Sequence, residues 1–203
     1  DNSLDVEYEA ETDKKTIVNL TQHSYFNLTA DFNKNTEDHE ILINADSFLP
    51  ISGTIPTGEF RAVANDVFNF RKPKKIIAEI NQNDQQLETA GGYDHCFILN
   101  KETNKELGFA ASAYDPKSGR FLEVLTTEPG MQFYTGNSLD GNLKIPNQKG
   151  NYEKRSGFCF ETQHFPDSPN RPDFPSVILQ AGEEFSSETI YKFSVKTEEN
   201  NKI

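Results

Sequence analysis

The stretch from residue 155 to residue 175 places a lone carboxylate at the end of a predicted strand. Side chains on a strand alternate between two faces, so Glu161 lies opposite the apolar side chains of Phe158 and Phe160. Prolines then recur at every third position from Pro166 onward, and proline donates no hydrogen bond to a sheet, so an extended loop is expected to follow. Strand ends beneath such loops commonly form pocket walls, where a carboxylate can act as a general base.

A second set of polar groups lies on residues 16–28, which are predicted to form a strand. Apolar side chains dominate one parity of this segment. The other parity carries only groups that form hydrogen bonds, namely Asn19, Thr21, His23, Tyr25 and Asn27. Such a face suits either the wall of a polar pocket or a hydrogen-bonded ladder on an edge strand, and the spacing alone does not decide between them.

Two further polar residues, Asp94 and Gln132, lie at the start of one predicted strand and within another. Asp94 follows a glycine pair, a position that favours capping of the turn over the binding of a ligand hydroxyl. The neighbouring His95 is expected to pack in the core. After a Pro-Gly break, Gln132 and Tyr134 share one face of the next strand.

The elements that must hold these residues are mostly short alternating strands separated by Gly, Pro and Asn, which is typical of an all-β chain. Residues 108–114 and 120–127 are predicted to form a hairpin around the Asp-Pro-Lys-Ser-Gly turn at residues 115–119. Residues 74–83 are the one predicted helix, and residues 82–89 are expected to be exposed. His39 lies among charged residues and is expected on the surface.

Composition narrows the classes of partner. The chain has 203 residues and a net charge of −12, which argues against nucleic-acid and anionic-membrane partners. Its 16 Phe and 7 Tyr supply enough apolar area for a core although hydrophobic residues are only 34% of the chain. No apolar run approaches the roughly 20 residues that a membrane-spanning helix needs.

The two cysteines, Cys96 and Cys159, each lie within an apolar run. They are expected to be buried free thiols, with a disulfide as the less favoured alternative. The sequence contains no paired Cys/His spacing of the kind that binds structural zinc, so no metal site is predicted.

Four motifs together carry a family resemblance: NLTQHSYFNL (19–28), GGYDHCFIL (91–99), EPGMQFYTGN (128–137) and ETQHFPDSPNRPDFPS (161–176). In type and order they resemble the aldose 1-epimerase (galactose mutarotase) family. The resemblance implies an all-β fold, a large antiparallel β-sandwich with at most one or two short helices. It also implies an aldohexose substrate, galactose or glucose, and no cofactor.

The resemblance assigns roles to individual residues. Glu161 matches the family's catalytic base and His23 its general acid. The residues expected to contact the sugar are Asp94, whose family role replaces the capping interpretation, together with Gln132, Tyr25 and Ser24. His164 has no catalytic counterpart in the family and is expected to support the loop.

The resemblance also implies that the N-terminal half of the same chain is missing from these 203 residues and would be their partner in the site. Members of the family carry a comparable length upstream of the first motif, including a second active-site His and a sugar-binding Arg. Residues 1–203 are therefore expected to form a single domain, the C-terminal part of a sandwich that is incomplete at its N-terminal side. We expect this part alone to be weakly active or inactive, and the enzyme to be cytoplasmic.

Other functions fit some of the same residues. A carbohydrate-binding β-sandwich without catalysis would bind sugar but would not need the acid and the base. A hexose-6-phosphate 1-epimerase would need basic residues for the phosphate, and Arg155 and Arg171 are the nearest to the motifs. A glycoside hydrolase would need a facing pair of carboxylates, which is a poorer match to Glu161 and His23.

Overall fold

The computed structural model describes residues 2–101 and 106–196, which are mostly β-strands. In chain order the strands are β1 Ser3–Glu11, β2 Thr16–Ile17, β3 Glu40–Ile43, β4 Ala45–Phe48, β5 Ile51–Ser52, β6 Ile55–Pro56, β7 Arg61–Ala62, β8 Lys74–Lys75, β9 Asp94–Leu99, β10 Gly108–Tyr114, β11 Arg120–Thr126, β12 Gly130–Tyr134, β13 Cys159–Gln163, β14 Ile178–Leu179 and β15 Glu184–Val195.

Two antiparallel sheets organise these strands. The larger has six strands in the order β1-β15-β11-β10-β3-β8, and the other has five in the order β13-β12-β9-β4-β7. The predicted hairpin is confirmed as the pair β10 and β11. Two further pairs, β14 with β2 and β5 with β6, form small separate sheets.

The main hydrophobic core lies between the two large sheets. One continuous cluster joins Ile41 and Val124 of the six-stranded sheet to Phe97, Phe133 and Phe160 of the five-stranded sheet, and all five side chains are buried. Because strands alternate, the residues between these positions on β9, β12 and β13 face away from the core. The predicted antiparallel β-sandwich is confirmed, and it leaves the outer face of the five-stranded sheet free to carry polar residues.

Polar links also join the sheets through this core. The Tyr191 hydroxyl on β15 donates to the Phe160 carbonyl at 2.8 Å. The Thr189 hydroxyl lies 2.7 Å from that of Thr162 on β13 and 2.8 Å from that of Thr126 on β11. Buried hydroxyls that find partners in this way avoid the cost of lost hydration, and they fix β13 relative to β15.

The α-helix is not where the sequence analysis placed it. Residues 74–83 contain β8 and a 3-10 turn, Ile76–Ala78, whereas α1 spans Gln85–Ala90. Asp84 caps α1 by accepting from the backbone N–H groups of Gln86 and Leu87, and Gly91 ends it in the left-handed region at φ 69°. Leu87 is buried, so a cap and one apolar contact outweigh the polar composition of this segment.

The predicted strand over residues 16–28 is also wrong. Only β2 and an isolated bridge at Phe26 pair as strands there. Side-chain amides replace the ladder: Asn19 donates to and accepts from the His164 backbone, both at 3.0 Å, and the Gln22 amide donates to the Phe160 carbonyl at 2.9 Å. Amide side chains of this kind compete with backbone pairing, so the alternation of polar and apolar residues over this segment wrongly predicted a strand.

Burial settles the predictions for four residues, His39, His95, Cys96 and Cys159. His39 is fully buried, contrary to prediction, because its Nε2 accepts the Leu28 backbone N–H at 3.0 Å beneath a loop. Burial lowers the pKa of His39. Cys96 and Cys159 are confirmed as buried free thiols, and His95 as a core residue. Within the described ranges, no helix is both long and apolar enough to cross a membrane.

Candidate active site

The outer face of the five-stranded sheet gathers polar side chains from three adjacent strands. In the ladder between β12 and β13, Gln132 stands opposite Glu161, and in the ladder between β12 and β9, Tyr134 stands opposite Asp94. Their chain neighbours Met131 and Phe133 are buried in the core between the sheets. Strand alternation therefore turns all four polar side chains to the same outer surface.

The segment that contains His23 lies across this surface without being part of the sheet. Gln22 anchors it by the bond to the Phe160 carbonyl, and Phe26 exchanges backbone hydrogen bonds with Phe158 at 2.7 and 3.0 Å. Between these anchors, His23 and Tyr25 stack with ring centroids 5.2 Å apart. Two fixed points with three residues between them hold the imidazole over the sheet.

These elements enclose an open cavity of about 370 Å³. Its lining residues are His23, Tyr25, Thr54, Asp94, Gln132, Tyr134, Glu161, Gln163 and Pro166. The predicted site residues are thus brought together, with the exception of Ser24, whose backbone N–H donates to the Gln22 side chain at 2.7 Å and which is not part of the lining. The Asn19, Thr21 and Asn27 side chains of the predicted polar face are likewise absent from the lining.

The cavity includes residues that sequence reasoning missed. Tyr134 shares a strand face with Gln132, and that parity was a usable signal. Thr54 had none, because it lies at the tip of the hairpin of β5 and β6, far from any motif. The Gln86 side chain holds this hairpin by accepting the Ile51 N–H at 2.6 Å and donating to the Ile51 carbonyl at 3.1 Å.

Glu161 is the most perturbed acid of the site. Burial raises its pKa to about 7, the nearby His23 opposes this, and the Asp94 carboxylate adds to it. Its side chain is only 10% exposed and its Oε1 lies 3.5 Å from Nε2 of His23. A carboxyl group that titrates near neutrality is suited to exchange protons.

His23 has a different contact on each ring nitrogen. Nε2 faces Glu161, while Nδ1 lies 3.4 Å from Sγ of Cys159. Burial raises the pKa of the Cys159 thiol, so the thiol keeps its proton and can donate it to Nδ1. That arrangement leaves the hydrogen of a neutral ring on Nε2, directed at Glu161.

Asp94 and Gln132 lie on the same sheet face as Glu161, on the two strands next to β13 in the sheet order. The Gln132 amide donates to Asp94 Oδ1 at 2.7 Å, so the carboxylate binds a side chain of the site and does not cap the turn. Burial raises the pKa of Asp94, and both Gln132 and His23 oppose the shift. The Gln132 carbonyl oxygen is buried without a partner in the described part of the chain. The Asp94 backbone N–H is bound at 3.2 Å by His95 Nδ1.

A second carboxylate–histidine pair lies outside the cavity. His164 Nδ1 is 2.6 Å from Oε2 of Glu128, whose side chain is 2% exposed. Asn19 fixes the backbone of His164 by its two hydrogen bonds, so this histidine supports the junction between β13 and the proline loop. The expectation that His164 supports the loop agrees with these contacts.

Comparison with known proteins places the chain in a family. The sequence model described as Aldose 1-epimerase matches residues 1–192. Galactose mutarotase from Bos taurus is 48% identical over 193 residues, which are 95% of this chain and 54% of that protein. The chain spans about half the length of the curated relatives it matches.

Solved structures agree with the sequence relatives. The aldose epimerase homologue from C. elegans superposes with a TM-score of 0.81 at 27% identity, covering 97% of this chain and 57% of that one. Galactose 1-epimerase from Lactobacillus acidophilus superposes with a TM-score of 0.79 at 32% identity, covering 97% of this chain and 54% of that one. Sequence, fold and the order of the motifs agree, and the chain belongs to the aldose 1-epimerase family.

Proposed function

We propose that this chain provides the acid/base pair and part of the sugar site of an aldose 1-epimerase that interconverts the α and β anomers of galactose or glucose. The observation that carries the proposal is the approach of Glu161 and His23 to 3.5 Å beside an open cavity of about 370 Å³. The other lining groups are hydrogen-bonding and aromatic side chains, which suit the hydroxyls and the faces of a pyranose.

The reaction needs two proton transfers at one carbon. The ring opens when a proton leaves the C1 hydroxyl and another reaches the ring oxygen. Rotation about the C1–C2 bond then presents the other face of the aldehyde, and closure reverses both transfers. Glu161 would accept the proton of the C1 hydroxyl, and His23, in its doubly protonated imidazolium form, would give the proton of Nε2 to the ring oxygen and become neutral, so that each group returns to its first state after closure.

The surroundings of the pair match these roles. Because the pKa of Glu161 is raised to about 7, its carboxylate is a stronger base than a solvent-exposed one and is still largely ionised above neutrality. Sγ of Cys159 lies beside Nδ1 of His23, so Nε2 is the ring nitrogen that faces Glu161 and the cavity. Proton donor and acceptor thus face one small volume of the site.

Asp94, Gln132 and the two tyrosines of the lining would bind the rest of the sugar. The Asp94 carboxylate accepts hydrogen bonds, and the unpartnered Gln132 oxygen is a further acceptor on the same side. The rings of Tyr25 and Tyr134 meet edge to face with centroids 6.1 Å apart and close one side of the cavity. Burial raises the pKa of Tyr25 to about 12, so its hydroxyl stays a neutral donor and acceptor.

The test is polarimetry of freshly dissolved α-D-galactose and α-D-glucose. Since the chain spans about half of its relatives, it is assayed alone and as a chimera, joined to the part of bovine galactose mutarotase that lies outside the match. We expect weak or no acceleration by the chain alone and clear acceleration by the chimera. A folded chimera that does not accelerate mutarotation would contradict the proposal.

Two alternative functions fit the cavity less well. A hexose 6-phosphate would need a cationic partner, but the described lining contains no Lys or Arg and contains two carboxyl groups, Asp94 and Glu161. A sugar-binding domain without catalysis would leave the raised pKa of Glu161 without a role. If the chimera binds galactose, by calorimetry, without accelerating mutarotation, the binding function is favoured.

A further inference from the structure

Three different metal-binding side chains lie close together at one side of the cavity: His23 and Glu161 line it, and Cys159 is buried beneath them. One donor atom from each of His23, Cys159 and Glu161 can be chosen so that all three lie within 4.8 Å of one another. Cys159 and Glu161 are two residues apart on β13 and share its outer face, and His23 reaches them from the segment above. Nitrogen, sulfur and oxygen donors of this kind are the ligands that Zn²⁺ takes in proteins.

The spacing of two of the donors, the sulfur of Cys159 and Nδ1 of His23, is close to that of a tetrahedral zinc site, whereas Glu161 faces the other ring nitrogen and would have to turn toward the ion. Zn–S and Zn–N bonds of about 2.3 and 2.05 Å at the tetrahedral angle separate sulfur and nitrogen by about 3.6 Å. The observed separation between Sγ of Cys159 and Nδ1 of His23 is 3.4 Å. An ion could therefore replace the proton between these two atoms with little movement of either side chain.

Charge and access also favour a cation. Asp94 and Glu161 are the ionisable carboxyl groups of the cavity, and no basic side chain of the described lining opposes them. His23 is 52% exposed, so one ligand is reachable from solvent and can turn to meet an ion. Three protein ligands would leave a fourth position open to the cavity, where water could complete the tetrahedron.

We infer that His23, Cys159 and Glu161 form a binding site for a thiophilic divalent cation, Zn²⁺, that inhibits the enzyme. The ion would occupy the two groups proposed above as acid and base, so metal and sugar would exclude each other. The inhibition rests on the proposed function, whereas the binding itself does not. Hard cations such as Mg²⁺ are not expected to bind, because they prefer oxygen ligands and avoid sulfur.

The binding test uses the 203-residue chain, prepared free of metal, and titration calorimetry with ZnCl₂ and with MgCl₂. We expect one Zn²⁺ per chain and no measurable Mg²⁺ binding. Absorption of the Co²⁺ complex in the thiolate charge-transfer region would identify sulfur as a ligand.

Matched variants separate this site from ordinary surface binding. Cys159→Ser and His23→Gln should each weaken Zn²⁺ binding at least tenfold, whereas Cys96→Ser, which changes the other buried thiol, should leave it within twofold. His23→Gln alters a half-exposed side chain, so it remains informative if Cys159→Ser destabilises the fold. Unchanged binding in both site variants, a comparable affinity for Mg²⁺, or no Zn²⁺ binding by the unaltered chain would overturn the inference.

The two proposals can fail separately. If the chimera catalyses mutarotation but the chain binds no Zn²⁺, only the metal site is refuted. If the chain binds Zn²⁺ through Cys159 but the chimera does not catalyse mutarotation, the proposed activity is refuted and the metal site stands. Zn²⁺ that binds through Cys159 without slowing an active chimera would refute the inhibitory role.

Discussion

The protein contains two carboxylate–histidine pairs with opposite surroundings. Glu161 and His23 are 3.5 Å apart at an open cavity, and the histidine is 52% exposed. Glu128 and His164 are 2.6 Å apart, with the glutamate 2% exposed and the histidine held at its backbone by Asn19. The same two residue types thus form a loose pair with a half-exposed histidine and a tight pair whose glutamate is almost fully buried. Residue type alone does not identify a site; the separation of the two partners and their exposure distinguish the pairs.

The largest difference is expected in catalysis. Glu161→Gln in the chimera removes the proposed base and should lower kcat for galactose mutarotation by about a hundredfold to ten-thousandfold, the range of general acid–base effects. Glu128→Gln, the matched change in the second pair, should leave kcat within about threefold, since neither Glu128 nor His164 lines the cavity. Polarimetry measures both. Equal losses in the two variants would remove the functional distinction between the pairs.

Glu161→Gln and Glu128→Gln should change the free energy of unfolding in opposite directions. The folded pKa of Glu161, about 7, is above its ordinary value, so the folded state holds a proton that the unfolded state loses as the pH rises from about 4.5 to 7. Stability is therefore lost over this window, and Glu161→Gln should raise the free energy of unfolding at pH 8 by on the order of 1 kcal/mol.

Glu128→Gln should instead lower the free energy of unfolding by on the order of 1 kcal/mol, because a buried charge-assisted hydrogen bond to His164 is weakened. Urea denaturation of the 203-residue chain at pH 5 and pH 8 measures both variants. If the Glu161→Gln variant were less stable than the unaltered chain at pH 8, this would contradict the view that burial destabilises the ionised form of Glu161.

A smaller effect should show how much of the raised pKa of Glu161 comes from burial and how much from the charge of Asp94. The Asp94 carboxylate adds to the raised pKa of Glu161, so Asp94→Asn should shift the acidic limb of the kcat–pH profile to lower pH, by less than about one unit. Asp46→Asn, which changes a surface carboxylate paired with Arg71, serves as the control and should leave the limb in place. A limb that does not move in Asp94→Asn would assign the shift to burial alone.

The smallest effect concerns the orientation of His23. Cys159→Val removes the group that faces Nδ1 and should lower kcat several-fold, whereas Cys159→Ser restores a donor there and should recover most of the loss. The pair of variants also complements the zinc test, in which Ser is expected to fail. If Val and Ser reduce kcat equally, the thiol has no part in directing the imidazole.

The sequence was sufficient where local pattern and final geometry coincide. Alternation around Phe160 placed Glu161 on the outer face of β13, and the common parity of Gln132 and Tyr134 placed them on one strand face, although only Gln132 was assigned to the site. The hairpin of β10 and β11 followed from its turn. Each of these rests on neighbours within a few positions along the chain, which a single sequence displays.

The sequence was insufficient where side chains replace backbone pairing. Residues 16–28 alternate like a strand, but the amides of Asn19 and Gln22 bind the backbone of residues about 140 positions away. His39 is flanked by charges and is nevertheless buried, because its ring accepts the N–H of Leu28. Thr54 reaches the cavity only through a hairpin held by Gln86. Such contacts depend on tertiary structure and have no local signature.

The links between Thr189, Thr162, Tyr191 and Phe160 give the sandwich a resistance to shear. Two sheets that touch only through methyl and phenyl groups can slide by small amounts at little cost, whereas a directional hydroxyl bond is lost after a displacement of less than an ångström or so. Both chain neighbours of Glu161 are tied in this way to β15 in the opposite layer. The carboxylate therefore stands on a part of its sheet that cannot slide without breaking these bonds, and the far layer keeps it in place beside His23.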